Sequence, residues 1–408
     1  MIEVNSALLA ISLILFFGFF AEFIFKRFHI PDILFLILLG FALGPHALKY
    51  INPQQLSSFA PVFTAFALLF LLFDGAFNID LASFSKGLSF GILITLFNFF
   101  ASVIAITLIL ILFKFQFSYA LLTGFILGGI SSAFVIPMLK QLNVKGEVYS
   151  ILTLESALTD VLSIVFSFTM IEIIKLNTFN FKLVASQLSS LFAVAGFIGI
   201  IAGIIWIIIV TKVFKHNKSY MITIAYLILV YAITEYLNGN GAIASLFFGL
   251  MLKNSKKLIS VFSAIVHRNN PEKSNNDYSV SITTPTEQLF YSQISFFLKT
   301  FFFVYIGILF NINNKLALII GIILAIAIML TRNLSSFLTK RFKDSDRRLI
   351  NSIFASGLAA AAIAQVLVLK KVDNAALISS IAYTFITFTI LLSSVRIFLL
   401  RKKMVSGS

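Results

Sequence analysis

An all-α membrane protein is the fold class that this sequence predicts, and three observations predict it. Hydrophobic residues fill 59% of 408 positions and charged residues only 12%, well outside the composition of a soluble domain. The apolar residues fall in runs of about 20, the length a helix needs to cross a bilayer. Nothing resembles the short alternating segments of a membrane β-barrel.

Thirteen segments follow, near residues 7–25, 30–48, 59–77, 88–113, 118–139, 151–174, 184–210, 220–237, 240–252, 288–310, 316–338, 349–369 and 375–398. The first lacks a basic n-region and a small-residue cleavage site, so it reads as a retained helix. The second opens on Pro31-Asp32, where a contact with the helix N-terminal dipole suffices for the carboxylate; it and the ninth are short. The third carries Asp74 near its inner end, as a wetted cap or as part of a cytoplasmic funnel. In the fifth, Gly128-Gly129-Ile130-Ser131-Ser132-Ala133-Phe134-Val135-Ile136-Pro137 crowds small residues and a proline at mid-membrane, which favours an unwound stretch with free carbonyls over mere tight packing. The sixth contains Leu154-Glu155-Ser156-Ala157-Leu158-Thr159-Asp160, and the seventh serves as a linker. Glu22 and Glu235 lie near helix ends, where solvation explains them. Lys299 falls about midway along the tenth, orienting a helix or pairing at a domain interface. The eleventh holds Arg332. The twelfth carries Ser356-Gly357-Leu358-Ala359-Ala360-Ala361-Ala362-Ile363-Ala364-Gln365, which fits a break and close packing equally well. The thirteenth is followed by a basic tail, and no regulatory domain is expected beyond Ser408.

Distributing the loops to alternate sides places about 22 basic residues on one side and about 7 on the other, a strong positive-inside bias. The N-terminus is therefore expected outside and the C-terminus in the cytoplasm. An odd count lets segments 1–6 and 8–13 form two inverted six-helix repeats around segment 7. The longest polar stretch, 254–287, then faces the cytoplasm. Its first part, Lys256 to Val266, reads as a basic amphipathic helix on the inner leaflet, and Asn269 to Asp277 reads as linker.

Composition also excludes functions. Without cysteine there are no disulfides, thiolate metal sites or thiol chemistry. The four histidines, His29, His46, His216 and His267, have no metal-ligand spacing. No Gly-rich phosphate loop is visible, which weighs against ATP-driven work by this chain alone. The net charge of +15 punctuates apolar segments instead of forming a basic domain, so nucleic acid is not an expected partner. The lipid bilayer is.

Segment 6 holds the most informative pattern. A charge at the centre of a membrane helix costs about 2.5 to 3.5 kcal/mol on insertion scales, so Glu155 and Asp160 need a reason to be there. At 100° per residue, Ser156, Thr159, Asp160 and Ser163 share one face, an oxygen stripe suited to a hard monovalent cation or a proton. Glu155 lies off that stripe and is available to pair with Arg332, although Arg332 could instead snorkel towards the headgroups beside Lys340 and Arg341.

Several motifs together resemble one family. Glu155-Ser156-Ala157-Leu158-Thr159-Asp160 is similar to the Glu-Ser-Leu-Leu-Asn-Asp motif of the cation:proton antiporter superfamily, which includes sodium/proton exchangers and potassium efflux antiporters. Pro31-Asp32-Ile33-Leu34 through Leu39-Gly40 to Leu43-Gly44-Pro45 resembles its first-repeat helix, and Phe301-Phe302-Phe303-Val304-Tyr305-Ile306-Gly307 resembles its Phe-Phe-Val-x-x-Gly segment. The resemblance implies an elevator-type antiporter fold in the plasma membrane, working as a homodimer. It divides the chain into a dimerisation domain over 1–87 and 219–315 (helices 1–3 and 8–10), a linker helix within 179–218, and a core transport domain over 88–178 and 316–408 (helices 4–6 and 11–13).

By the same resemblance Asp160 binds cation and proton alternately, with Ser156, Thr159, Ser131 and Ser132 as further oxygen ligands, and Glu155 with Arg332 holds the core together. Asp74, Lys299 and Ser163 are accessory candidates. No cofactor is implied: Na+, Li+ or K+ and H+ are the transported substrates, and the chain is not an enzyme. Two departures stand out. Thr159 occupies a position usually held by Asn or a second Asp, and Ser131-Ser132-Ala133 lacks the Thr-Asp ligands of many sodium/proton exchangers and is closer to the potassium efflux branch. Sodium remains the first expectation as the commoner substrate, with one-for-one electroneutral exchange because a single free carboxylate titrates; a K+/H+ antiporter or gated K+ efflux pathway is the alternative. A sodium-coupled symporter for an organic anion and a scaffold without transport are further readings. A channel of the carbonyl-filter type would need a Thr-Val-Gly-Tyr-Gly sequence, which is absent.

Overall fold

The computed structural model describes residues 4–28, 31–51, 60–77, 89–176, 181–212, 220–255 and 285–406. His29, His216, His267 and the expected amphipathic helix and linker between Lys256 and Asp277 lie outside the described residues. All regular structure among the described residues is helical. In a hydrocarbon environment a helix satisfies its own backbone N–H and C=O groups, which long apolar runs cannot otherwise do.

In chain order the helices are α1 (Val4–Phe28), α2 (Asp32–Leu43), α3 (Ala60–Phe77), α4 (Ser89–Leu112), α5 (Phe117–Leu127), α6 (Ser132–Gln141), α7 (Gly146–Leu176) and α8 (Phe181–Lys212). They continue as α9 (Tyr220–Tyr236), α10 (Gly241–Lys253), α11 (Pro285–Leu309), α12 (Lys315–Thr331), α13 (Asp344–Ser352), α14 (Leu358–Leu369) and α15 (Ala375–Ser406), with a short 3-10 turn at Arg332–Ser336 after α12. Among the described residues, six stretches are long and apolar enough to cross a membrane: Phe90–Leu112, Phe117–Gln141, Gly146–Lys175, Ala193–Thr211, Lys315–Ser336 and Ala375–Leu400. Seven shorter apolar helices accompany them.

The described chain forms two compact units. One comprises Met1–Thr64, Ser89–Asn177 and Phe297–Ser408. Inside it α4, α5 and α7 pack together, α15 packs along α12 and α14, and α14 reaches α7. Leu122, Ile126, Phe99, Ile106, Leu152 and Phe385 are among its fully buried side chains.

Within this unit α2 and the Phe297–Leu309 part of α11 meet almost backbone to backbone. A methyl group on Gly40 would overlap the carbonyl of Val304, and one on Gly307 would overlap that of Ile37. At the N-terminal end of the same pair, Lys299 Nζ lies 2.6 Å from Asp32 Oδ2, while Asp32 Oδ1 accepts from the Ile33 amide at 3.0 Å. Asp32 therefore does more than face a helix dipole. Because the atoms obstructing a side chain at Gly307 are backbone, which cannot rotate away, Gly307→Ala is expected to cost about 3 kcal/mol. A melting curve of the purified variant in detergent checks this, and a wild-type midpoint would show that the helices can part without loss.

The other unit comprises Ala65–Leu88 and Thr178–Phe296. Here α10 packs against α8 and α9. Trp206 stacks on Tyr226 with ring centroids 4.6 Å apart, and Phe73 sits between Phe248 at 5.9 Å and Tyr291 at 5.3 Å. Asn240 caps α10 by accepting from the Ile243 amide at 3.1 Å.

Candidate cation and proton site

Two interruptions of helix build the site. The first is Gly128–Ser131, between the end of α5 at Leu127 and the start of α6 at Ser132; the second is 353–357, between α13 and α14. The two non-helical stretches touch: the Ser131 amide donates to the Ala355 carbonyl at 2.8 Å, and a methyl on Gly357 would overlap Ser131 Oγ. The Ser356 amide is satisfied by Thr389 Oγ1 of α15 at 3.2 Å. Non-helical backbone at membrane depth survives only where protein covers it, and here Ser131 and Ser356 are each 2% exposed.

Helix α7 runs alongside this crossing and presents its polar stripe to it. The Thr159 hydroxyl accepts from the Ile130 amide at 3.1 Å and lies 3.3 Å from the Ile130 carbonyl, within donating distance. Thr159 thus satisfies backbone groups that the break set free. Asp160 Oδ2 accepts from Ser132 Oγ at 2.7 Å and from the Ser132 amide at 3.4 Å, so its carboxylate closes the open N-terminus of α6, where the helix dipole favours negative charge. Asp160 is 8% exposed. Among the described residues it forms no salt bridge. Ser156, fully buried, donates to the Thr153 carbonyl at 2.9 Å.

The second carboxylate on α7 has a different environment. Both guanidinium Nη atoms of Arg332 reach Glu155: Nη1 engages Oε1 and Nη2 lies 2.8 Å from Oε2. Asn98 Nδ2 of α4 adds a bond to Oε1 at 2.9 Å, and Arg332 Nε donates to the Ile350 carbonyl at 3.2 Å. Glu155 is 0% and Arg332 5% exposed. The pair is bidentate and hydrogen bonded at its flanks, the arrangement a buried ion pair needs to offset desolvation. Arg332 sits where α12 gives way to the 3-10 turn, with its side chain buried against Glu155.

The remaining candidates lie elsewhere. Ser163 is buried on the α7 stripe, one turn past Asp160. Lys299 pairs with Asp32 on the α2–α11 seam. Asp74 belongs to the other compact unit and is hydrogen bonded to Ser295. Among the described residues no three His, Asp or Glu side chains converge as metal ligands; the side-chain oxygens that meet at the crossing are those of Asp160, Ser132 and Thr159.

Two residues that sequence reasoning passed over belong to this region. Asn98 is the lone amide side chain in α4, flanked by Phe97 and Phe99, and that isolation was the available signal. Arg396 of α15, one of the basic residues counted on the expected cytoplasmic side, donates to the carbonyls of Met329 at 3.2 Å and Asn351 at 3.3 Å and to Asn333 Oδ1 at 3.0 Å. It satisfies carbonyls at the C-terminal ends of α12 and α13.

A model of the transmembrane sodium/hydrogen exchanger family matches residues 11–402. The chain belongs to the sodium/hydrogen exchanger family. Two solved structures of the sodium proton antiporter MjNhaP1 from Methanocaldococcus jannaschii share its fold. The structure at pH 8 superposes with a TM-score of 0.73 at 20% identity, covering 97% of this chain and 100% of the other. The one from an electron-microscopy map gives 0.67 at 20% identity, covering 98% and 96%. A search of curated proteins found no match. As a sodium/hydrogen exchanger family member, the chain is a multi-pass membrane transporter of the cation:proton antiporter superfamily.

Proposed function

We propose that the chain is a secondary active antiporter exchanging one monovalent cation, sodium first, for one proton at Asp160. The observation that carries this reading is the unequal treatment of the two carboxylates on α7. Glu155 is compensated by Arg332 and Asn98, whereas among the described residues Asp160 is held by the Ser132 hydroxyl and amide. A carboxylate without a fixed counter-charge in low dielectric needs either a proton or a cation, and the two compete for the same oxygens. Movement of the core only when Asp160 is neutralised turns that competition into exchange.

The finer architecture belongs to the same proposal. Six long and seven shorter apolar helical stretches support 13 spans in two inverted repeats, with the paired interruptions at Gly128–Ser131 and 353–357 at corresponding places. In that reading helices of 88–178 and 316–408 form the moving core, those of 1–87 and 219–315 form the dimerisation domain, and the N-terminus lies outside the plasma membrane. Potassium is the second reading, favoured by the small-residue run Ser131-Ser132-Ala133.

Exchange is tested in proteoliposomes carrying a pH-sensitive dye, adding sodium, lithium and potassium in turn. Only Asp160 changes charge in this cycle, since a threonine cannot titrate, so initial rates should be the same with and without a valinomycin-clamped membrane potential. Apparent cation affinity should fall as pH falls, because each added proton occupies the cation's oxygen atoms. A marked voltage dependence would mean that a second group exchanges charge, and the single-site scheme would then be abandoned.

A further inference from the structure

Hydroxyls on helices ordinarily turn back onto a carbonyl one turn earlier, and this protein follows that habit. Thr95 donates to the Gly91 carbonyl at 2.8 Å, Thr107 to Val103 at 2.7 Å, Thr123 to Tyr119 at 2.8 Å and Ser245 to Gly241 at 2.9 Å. Two serines on α7 depart from it. Ser163 and Ser167, 2% and 0% exposed, bury their Oγ atoms with no hydrogen-bond partner. Burying a hydroxyl without a partner is unfavourable, and an alanine in either place would avoid it.

Their placement connects them with Asp160. Three and seven residues further along the helix, they continue the face that carries Ser156 and Asp160. A methyl on Gly129 would stand 2.8 Å from Ser163 Oγ, so this hydroxyl looks into the non-helical Gly128–Ser131 crossing instead of back along α7. The missing side chain at Gly129 leaves it room to do so. On the other side of Asp160 the same face carries Thr153, whose buried Oγ1 is also unpartnered. Unsatisfied oxygens thus line up along α7 on both sides of the exchanging carboxylate, whereas on other helices among the described residues such hydroxyls stand singly, at Thr64 and Thr300.

We propose that Ser163 and Ser167 form a second, transient cation subsite, through which a partly dehydrated monovalent cation passes between Asp160 and the Leu176 end of α7. Neutral hydroxyl oxygens hold a hard cation weakly, which suits a position that must release its ion to the carboxylate and take it back. The proposal rests on Asp160 as the exchange site and adds a path to it.

The test uses the full-length protein in proteoliposomes, with sodium, lithium and potassium chloride as probes, and follows Ser163→Ala, Ser167→Ala and their double variant. Each single change is expected to raise the apparent KM for the transported cation about fivefold, the effect of one lost oxygen contact, with the maximal rate within about twofold of wild type. Melting temperatures should stay level or rise, since no bond within the protein is lost. Ser245→Ala, which removes a bonded hydroxyl in the other unit, is the reference: a lower melting temperature with unchanged KM. A wild-type KM in both serine variants would overturn the subsite. So would a fall in melting temperature as large as that of Ser245→Ala, because the hydroxyls would then have partners within the protein. Asp160→Asn in the same assay separates the two claims: persisting exchange defeats the Asp160 reading, whereas a dead Asp160→Asn beside unaffected serine variants defeats the subsite alone.

Discussion

Asp160→Asn is expected to abolish cation-dependent proton movement, by at least about 100-fold in initial rate, while the protein still inserts and melts no lower than wild type. The asparagine side chain keeps the shape of the aspartate, and its carbonyl oxygen can still accept from Ser132 Oγ and the Ser132 amide, the two bonds that hold Asp160. What it cannot do is carry a charge or release a proton. The fold-holding contacts of the crossing, from Thr159 to Ile130 and from Ser131 to Ala355, do not involve Asp160, so folding and transport should separate cleanly. Dye-reported exchange on addition of sodium, lithium or potassium provides the measurement, with the melting curve as the control. Exchange at wild-type rates in purified Asp160→Asn would sink the mechanism, since the other carboxylate on this stretch of α7, Glu155, is paired with Arg332.

Why the two carboxylates differ shows what a sequence can and cannot disclose. Helical periodicity is local, so the face shared by Ser156, Thr159, Asp160 and Ser163 could be read directly from spacing. Gly128-Gly129 and Ser131-Ser132 weaken helix locally for the same reason that they are visible, through residue type. The second interruption, at 353–357, was ambiguous because a run of alanines after Gly357 serves close packing as well as a helix start. Partners far apart in the chain are a different matter. Asn98 meets Glu155 across 57 positions and Lys299 meets Asp32 across 267. Those pairings depend on which helix faces pack, which no local pattern encodes. For Arg396 the position near a basic tail suggested only the side of the membrane; that its head reaches carbonyls of two neighbouring helices depends on packing in the same way. Thr159 illustrates the limit within one residue, since its position on the stripe was legible and its hydroxyl's engagement with Ile130 was not.

Removing one member of the Glu155–Arg332 pair is expected to destabilise the protein by about 3 to 5 kcal/mol, and removing both by less than either single change, because a lone buried charge costs more than no charge at all. The two single variants should not be equal. In Glu155→Gln the guanidinium stays charged in a site only 5% exposed, since arginine does not deprotonate in proteins. In Arg332→Met the carboxylate still receives the Asn98 amide, so the cost is smaller. The double variant leaves the Ile350 carbonyl without its Arg332 Nε donor, and it should therefore fall short of wild type even without an orphan charge. Melting midpoints of the four proteins in detergent give the coupling, and exchange rates in liposomes show whether a neutral core pair still supports transport. Additive losses in the double-mutant cycle would reject Glu155 and Arg332 as an interacting pair. A double variant that melts near wild type and still exchanges cation for proton without voltage dependence would assign the pair to architecture and leave Asp160 as the group that exchanges charge.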